Sequence, residues 1–590
     1  MKRRLLGPIK RRDVGFKYIF GFLTVFCFVS FVYTFKLLHR PSRDAYISSS
    51  ASPSQVFSKP ATTASSLLSC DLTTKDPNLV FPKQLNKLEM ELMGGWNHKS
   101  ALTRILVVGV TGYVKRDLPI YQMALDINRF QVIRHPLPSK KTVVKPAATF
   151  TPTDFDAVLC FSFNSDYCLL PGQFSQLIPR NKKINRINHL RTVIWGKHSF
   201  CETLSKATKR YELNSPKERF FFPCWVLPDQ YDELQQNEMG ITRWISKPRG
   251  LGAGMGISIV DNLNDLSPRS THVIQEYLQN PFLLKLPHLD TLHKWDMRTY
   301  VLVTSVVPLR AYLFQRGLVR FAMTPYSTDC KSNSQTACLT NTSINKKIGV
   351  GAAKDITWPF IQLKQALGDL RYDKMIQDTK RAIGMTLLAA QPEFISLQKD
   401  SMCESCFQLL GVDVIFDSEL NPKVIECNGE PSMQLNGGGK TSHYDTTKQV
   451  MIQHLVDLVF QPKPASKQFA NLITKRCGVN SRLGKQDASY LLDLHREHQA
   501  QGEFSRIYPA SSSNPTHAKS FRRFLVHMST SQEYSKYTQG KVKDLVRSHD
   551  VFSQLLPEEE EGGGSFNNDS SNEGERDDNS DDDGGEEDDV

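Results

Sequence analysis

Three stretches of this 590-residue chain hold residue types able to do chemistry together. In HKWDMRTYVLVT (293–304), Lys294, Asp296 and Arg298 alternate. On a strand all three would share one face. Two cations around one carboxylate suit a site that handles phosphates and keeps one acceptor or metal-facing oxygen; a solvated strand face would show the same alternation. In LLGVDVIFDSELNPKVIECNGEPSM (409–433), two apolar runs joined by the turn DSELNP read as a hairpin. Asp413 lies on the first strand, and Glu426 and Asn428 at i and i+2 share a face of the second. Hard oxygen donors so placed suit Mg²⁺ bridging to ATP phosphates, and an acid inside an apolar strand is costly unless paired or metal-bound.

The third stretch is RWISKPRGLGAGMGISIV (243–260), where Gly250, Gly252, Gly254 and Gly256 alternate between two apolar runs. Strand, glycine turn, strand gives a hairpin whose backbone N–H groups can close on phosphates, with Lys247 as a point charge. It lacks the Walker pattern and is no convincing dinucleotide fingerprint, because a strand rather than a helix follows. A purely structural hairpin fits the same residues.

These strands need a body to position them. RILVVGVTGYV, LPIYQMALDI and FDAVLCFSF read as strand, helix, strand, a small N-terminal βαβ lobe over residues 100–190. Strands and helices then run to about Val459, giving a core over 191–460, and QPKPASK (461–467) opens a basic, partly helical extension over 461–556. Residues 557–590, rich in Glu, Asp, Gly and Ser, cannot bury enough apolar surface to fold. The segment 36–99 is a flexible stalk and approach, rich in Ser, Thr, Ala and Pro from 41 to about 75.

Before the stalk, residues 18–35 (YIFGFLTVFCFVSFVYTF) form an uncharged run just long enough to span a bilayer. A cleaved signal peptide is the rival, but the run is long and no small-residue cleavage site closely follows. Seven basic residues precede it within the N-terminal segment 1–17, and Lys36, Arg40 and Arg43 follow. That bias leans toward a cytosolic N-terminus and a lumenal body, and a cytosolic body stays open. Net charge is +12, but the residues from Glu558 onward carry −15, leaving the rest at +27. A basic body suits an acidic partner: nucleic acid, anionic lipid or an acidic protein tail.

Of twelve cysteines, Cys403 and Cys406 form a lone C-x-x-C without a second pair at zinc spacing. Cys330 and Cys338 bracket a short polar loop and would suit a disulfide in a lumenal body. Asn341-Thr342-Ser343 and Asn568-Asp569-Ser570 are glycan-acceptor patterns, used only if those segments face the lumen.

In this order the segments resemble the tubulin tyrosine ligase-like family, ATP-grasp enzymes that join amino acids to tubulin tails. The pattern comprises Lys247-Pro248 with its glycine loop, KWDMRTYVLVT, GLVRFA (317–322), LTNTSINK (339–346), and GVDV followed by ECNGEPS. It covers about 180 to 460, beginning at INRINHLRTVIWGKHSFCETL. The resemblance implies an α/β, ATP-grasp fold with the N-terminal βαβ lobe, a central glycine-hairpin lobe and a C-terminal metal-binding lobe. It implies that Lys197 and Lys247 contact ATP phosphates, with Gly252, Gly254, Gly256 and Gln275 in the nucleotide site, lined by Thr340 and Asn341. Lys294 and Asp296 would serve the nucleotide and substrate side of the cleft. Arg298 and Arg320 would steady the transferring phosphate, the acyl intermediate or the incoming amino acid, and Asp413, Glu426 and Asn428 would hold two Mg²⁺ ions.

The implied reaction is ATP-dependent carboxylate–amine ligation onto glutamate side chains of an acidic protein tail. Tubulin is the favoured acceptor and glutamate the favoured free amino acid; nucleic acid is not an expected partner. Three positions depart from the family pattern: Cys338 for His, Thr342 for Tyr and Trp295 for Phe. Two other readings remain, a membrane-tethered nucleotide-binding scaffold without turnover, and a ligase acting on secretory-pathway proteins.

Overall fold

The computed structural model describes residues 79–93, 104–134, 155–162, 182–213, 215, 218–236, 240–251, 254–286, 290–330, 335–340, 357–397, 405–435, 442–510, 514–530 and 555–556. All lie in a compact unit running from Leu67 to Val590. The expected anchor at 18–35 and the acidic tail from 557 fall outside the described residues, and among those described no helix is long and apolar enough to cross a membrane.

In chain order, β1 (Leu79–Val80) and α1 (Leu85–Met93) precede β2 (Arg104–Gly109), α2 (Thr111–Ile127), β3 (Gln131–Arg134), β4 (Ala157–Phe161) and β5 (Lys183–Ile184). The last four strands make a parallel sheet in the order β3-β2-β4-β5. Strand β4 is wholly buried, consistent with its uninterrupted apolar run. This is the expected βαβ lobe. Helix α3 (Lys197–Tyr211), β6 (Cys224–Val226), α4 (Tyr231–Gln236), β7 (Trp244–Pro248), β8 (Ser258–Val260) and β9 (His272–Glu276) follow, with an antiparallel sheet ordered β6-β9-β7-β8. The β7–β8 pair is the glycine hairpin, registered Trp244 to Val260.

The largest sheet has eight strands: β10 (Leu283–Lys285), β11 (Leu292–Val306), β12 (Leu309–Phe314), β13 (Leu318–Phe321), β14 (Thr357–Pro359), β15 (Gln408–Phe416), β16 (Pro422–Asn428) and β18 (Phe504–Tyr508). Strand β11, 15 residues long, pairs with β10, β12, β13 and β15 along different parts of its length. The short α5 (Gln335–Cys338) follows β13; α6 (Phe360–Leu367) and the 29-residue α7 (Asp369–Leu397) follow β14. Trp295 at 1% exposure stacks on Phe416 with ring centroids 5.0 Å apart, filling the core behind β11. Its indole N–H has no hydrogen-bond partner among the described residues, so the departure from Phe adds a buried polar group that they do not use.

After α8 (His443–Phe460) come α9 (Ser466–Cys477), β17 (Leu483–Gly484), α10 (Lys485–Ala500), β18 and α11 (Pro515–Thr530). Segments outside the 100–460 span pack into the body. In the 461–556 extension, β18 pairs antiparallel with β12 inside the main sheet. Glu497 on α10 is buried and accepts hydrogen bonds from Arg310 at 3.2 Å, Thr304 at 3.1 Å and Tyr312 at 2.6 Å. The end of the 36–99 segment packs there too. Leu85 and Leu88 pack with Phe469, Ile473 and Leu491, and β1 pairs with β17. Glu89 accepts the backbone N–H groups of Ala465 at 2.7 Å and Ser466 at 3.3 Å, placing a buried carboxylate on the first N–H groups and positive dipole end of α9.

Candidate functional site

The glycine hairpin brings the first cation into place. Strand β7 carries Lys247, and β9 beside it carries Gln275, whose Oε1 accepts from Lys247 Nζ at 2.6 Å. The Lys247 amine is buried, and burial pulls its pKa down to about 8; Glu426 and Asp413 oppose that shift and Lys197 adds to it. Lys197, the first residue of α3, donates to the Leu251 carbonyl at 2.7 Å and so ties the helix to the glycine turn. Gly254 and Gly256 have φ of +74° and +69°, a region costly for residues with a Cβ. A Cβ on Gly256 would also lie 2.8 Å from the Pro248 ring. Gly252 lies outside the described residues.

Strand β11 supplies the second cation. Lys294 is buried, its Nζ 3.9 Å from the Tyr277 ring centroid and 3.4 Å from the Leu278 carbonyl. Burial lowers its pKa to about 7, against the pull of Asp296 and with the repulsion of Lys247. Sequence alternation suggested that Arg298 would flank Asp296, but the pairing runs across strands. Arg320 on β13 holds Asp296 with Nε–Oδ1 at 2.6 Å and Nη2–Oδ2 at 2.9 Å, and its Nη2 reaches Asp413 Oδ2 at 3.0 Å. Arg298 takes Asp413 through Nε and Nη2. Thr340 donates to Asp296, which places Thr340 against this cluster; Asn341 lies outside the described residues.

The two carboxylates titrate in opposite directions because their surroundings differ. Burial raises Asp296, and Arg320 offsets that only in part with Asp413 nearby. Burial also opposes ionisation of Asp413, but Arg298 and Arg320 together outweigh it and hold the group well below the usual carboxylate range.

The β15–β16 hairpin sets Asp413 directly across from Glu426, with Asn428 two residues on; Asn428 Nδ2 donates to Glu426 Oε1 at 3.2 Å. Among the described residues no three His, Cys, Asp or Glu side chains form a metal cluster. Glu426 and Asn428 nevertheless offer the carboxylate and amide oxygens that a magnesium ion takes when nucleotide phosphates complete its shell, and Asp413 faces them across the ladder. The donor set therefore fits.

Other residues of the site escaped the sequence reading. Tyr277 was visible only as an apolar residue in QEYLQ, yet it supplies the ring over which Lys294 sits. On α8, Tyr444 and Lys448 are one turn apart, with Lys448 Nζ 4.0 Å from the Tyr444 ring and 2.6 Å from the Gln434 carbonyl. Burial brings Lys448 down to about 8, and Arg298 is among the charges acting on both residues. The signal was the i, i+4 spacing in HYDTTK. Arg186 and Glu430 form a buried pair at 2.8 Å, joining the β5–α3 connection to the segment after Asn428.

Residues distant in sequence thus meet as cationic walls around a carboxylate pair, in an α/β body of ATP-grasp type. Residues 179–468 match the Tubulin-tyrosine ligase family. The chain is 34% identical over 308 residues to a probable beta-tubulin polyglutamylase of Tetrahymena thermophila, covering 47% of this chain and 24% of that protein. It is 30% identical over 360 residues to tubulin polyglutamylase TTLL7 of Xenopus tropicalis, covering 56% and 36%. With human tubulin monoglutamylase TTLL4 it shares 28% identity over 425 residues, covering 60% and 34%. The chain thus spans about a quarter to a third of the length of these relatives.

Proposed function

We propose that this chain is an ATP-dependent carboxylate–amine ligase that adds glutamate to glutamate side chains of an acidic protein tail, with tubulin the acceptor carried over from the relatives' names. The observation supporting this reading is the convergence of Lys247, Lys294, Arg298 and Arg320 on Asp296, Asp413 and Glu426, which surrounds a small anionic region with fixed cations.

In this reaction the acceptor carboxylate takes the terminal phosphoryl group of ATP, and the amino group of free glutamate displaces phosphate from the acyl phosphate to leave an amide. Lys247 and Lys197 bind phosphate oxygens, and the glycine turn lets backbone N–H groups approach them. Arg298 and Arg320 are pinned by Asp413 and Asp296, so their donors are already oriented when negative charge shifts during transfer. Glu426 and Asn428, with Asp413, would hold magnesium, which would supply charge neutralisation at the phosphates.

The test is mass spectrometry of an acidic tubulin-tail peptide after incubation with the full chain, ATP, Mg²⁺ and glutamate. Addition of glutamate by the wild type and its loss in Glu426→Gln supports the ligase. Nucleotide binding without any addition to tubulin or other acidic acceptors supports the tethered scaffold instead. A secretory-pathway acceptor is favoured by one further observation, the pairing of the cysteines.

A further inference from the structure

Seven of the eight described cysteines are disulfide-bonded, namely Cys160, Cys201, Cys224, Cys330, Cys338, Cys406 and Cys477. The exception, Cys427, is buried in β16 beside Glu426, where burial first and the neighbouring Asp413 and Glu426 charges second push its thiol well above the usual range. Reduced cytosolic proteins rarely carry such a pattern, whereas chains folded in an oxidising compartment commonly do.

The two fully described pairs both sit behind the phosphate-facing cations. Cys201 lies one helical turn after Lys197 on α3, and Cys224 on β6 stands directly across the ladder from Gln275, the partner of Lys247. Their Cα atoms are 5.7 Å apart, so this bond joins the helix of one phosphate lysine to the sheet of the other. Cys330 and Cys338, with Cα atoms 5.8 Å apart, close the loop leading to Thr340. The Cys338 carbonyl accepts from the Tyr277 hydroxyl at 3.2 Å, and the Tyr277 ring holds Lys294. All four sulfurs belong to buried residues, packed with Val226 and Val273 in one case and Tyr277 and Ala337 in the other.

We infer that the nucleotide pocket is assembled only in the oxidised chain, that the body works in an oxidising compartment, and that its acceptor is an acidic protein segment of that compartment. The acceptor part rests on the ligase reading above and replaces tubulin, the acceptor in the relatives' names, with a segment held in that compartment. Each bond forms from two thiols that give up two protons and two electrons to a disulfide-carrying oxidant of the compartment, which becomes a dithiol. The charge bias around residues 18–35 leans the same way, toward a body on the side away from the basic N-terminus. The +27 body is suited by sign to an acidic segment met there.

The first experiment expresses the full chain in eukaryotic cells, lyses them in denaturant with an alkylating reagent, and maps the cysteine peptides by mass spectrometry. The expected result is recovery of Cys201 with Cys224 and Cys330 with Cys338 as linked pairs, with Cys427 alkylated. Alkylation of all five overturns the inference. The second experiment titrates ATP into the purified oxidised chain and into the same chain after dithiothreitol, with Cys201→Ser/Cys224→Ser and Cys330→Ser/Cys338→Ser alongside. Reduction is expected to weaken ATP binding at least about tenfold, and each double variant to lose part of that. Unchanged affinity in a chain that stays folded after reduction overturns the role in assembling the pocket. A third arm offers labelled glutamate and ATP to the oxidised enzyme with lumenal and cytosolic protein fractions. Label confined to cytosolic proteins overturns the acceptor assignment. Disulfide mapping and ATP binding need no acceptor, so linked pairs without any glutamate transfer would defeat the ligase reading while leaving the oxidised pocket standing.

Discussion

Arg320 and Asp296 face each other across the β13–β11 ladder, register partners whose side chains are joined by two hydrogen bonds of 2.6 and 2.9 Å. The same guanidinium reaches Asp413 at 3.0 Å, so one arginine neutralises charge on two buried carboxylates. Removing it strands both. Arg320→Ala is expected to cost about 3–5 kcal/mol of stability, the range for breaking a buried ion pair on one side. Arg320→Lys keeps the charge but loses the planar fork and should fall between wild type and Ala. Urea denaturation measures both; a loss below about 1 kcal/mol for the alanine variant would show that the cluster is wetter and more adaptable than its burial indicates.

The buried lysines give a pH dependence whose sign follows from burial. Lys247 has its folded pKa at about 8 against an ordinary 10.5, so between those values the unfolded chain holds a proton that the folded chain has lost. Its contribution to stability therefore rises with pH across that window, and the full penalty is present below about pH 8. Lys294 behaves alike from about 7 upward. Phosphate oxygens beside Lys247 restore its proton, so ATP binding near pH 8.5 (~0.5 unit above the folded value) should take up protons. Calorimetry in two buffers of different ionisation enthalpy reads that uptake directly. Lys247→Met should bind ATP more weakly and reduce the uptake; unchanged uptake would assign it elsewhere, with Lys294 next to test.

The parts of this site legible in the sequence are those governed by strand periodicity. Alternation put Lys294, Asp296 and Arg298 together, the turn in DSELNP predicted the β15–β16 hairpin, and the glycine run predicted β7–β8. What alternation cannot give is the partner on the next strand. Asp296 pairs with Arg320, 24 positions on, and Arg298 with Asp413, 115 positions on, because sheet order rather than sequence order sets which side chains meet. Glu497 was equally hidden. In ASYLLDLHREHQA it reads as a charge on a solvated helix, and only the addition of β18 to the main sheet explains its burial against Arg310, 187 positions away. Glu89 likewise reads as surface until α9 is seen to start on it.

Metal dependence can be separated from folding at Glu426. Its side chain faces Asn428 at the end of β16 and carries no buried ion pair of the Arg320 kind among the described residues. Glu426→Gln keeps the shape and removes the charge a divalent cation needs. Turnover should fall by at least about a hundredfold, in the range for losing one preorganised electrostatic contact, while the thermal midpoint moves by only a few degrees. Chelation of Mg²⁺ should abolish wild-type turnover and restore it on re-addition. Unfolding of the variant in step with lost turnover would make Glu426 structural.

The two ends of the C-terminal region should respond in opposite ways to truncation. Ending the chain at 460 removes β18 from the edge of β12 and Glu497 from Arg310, leaving a buried guanidinium and an open apolar strand edge. Such a chain should be insoluble, and Glu497→Ala alone should cost about 3–5 kcal/mol. Ending it at 556 removes only the acidic residues that follow Leu555 and Leu556, which pack with Leu491 and Phe469. That shorter protein should fold with an unchanged thermal midpoint. It should also modify external acidic peptides faster, since a tethered segment of −15 no longer competes for the basic body. Equal rates for the full-length and 556-residue chains, measured with the same peptide at low ionic strength, would show that the tail does not occupy the acceptor site.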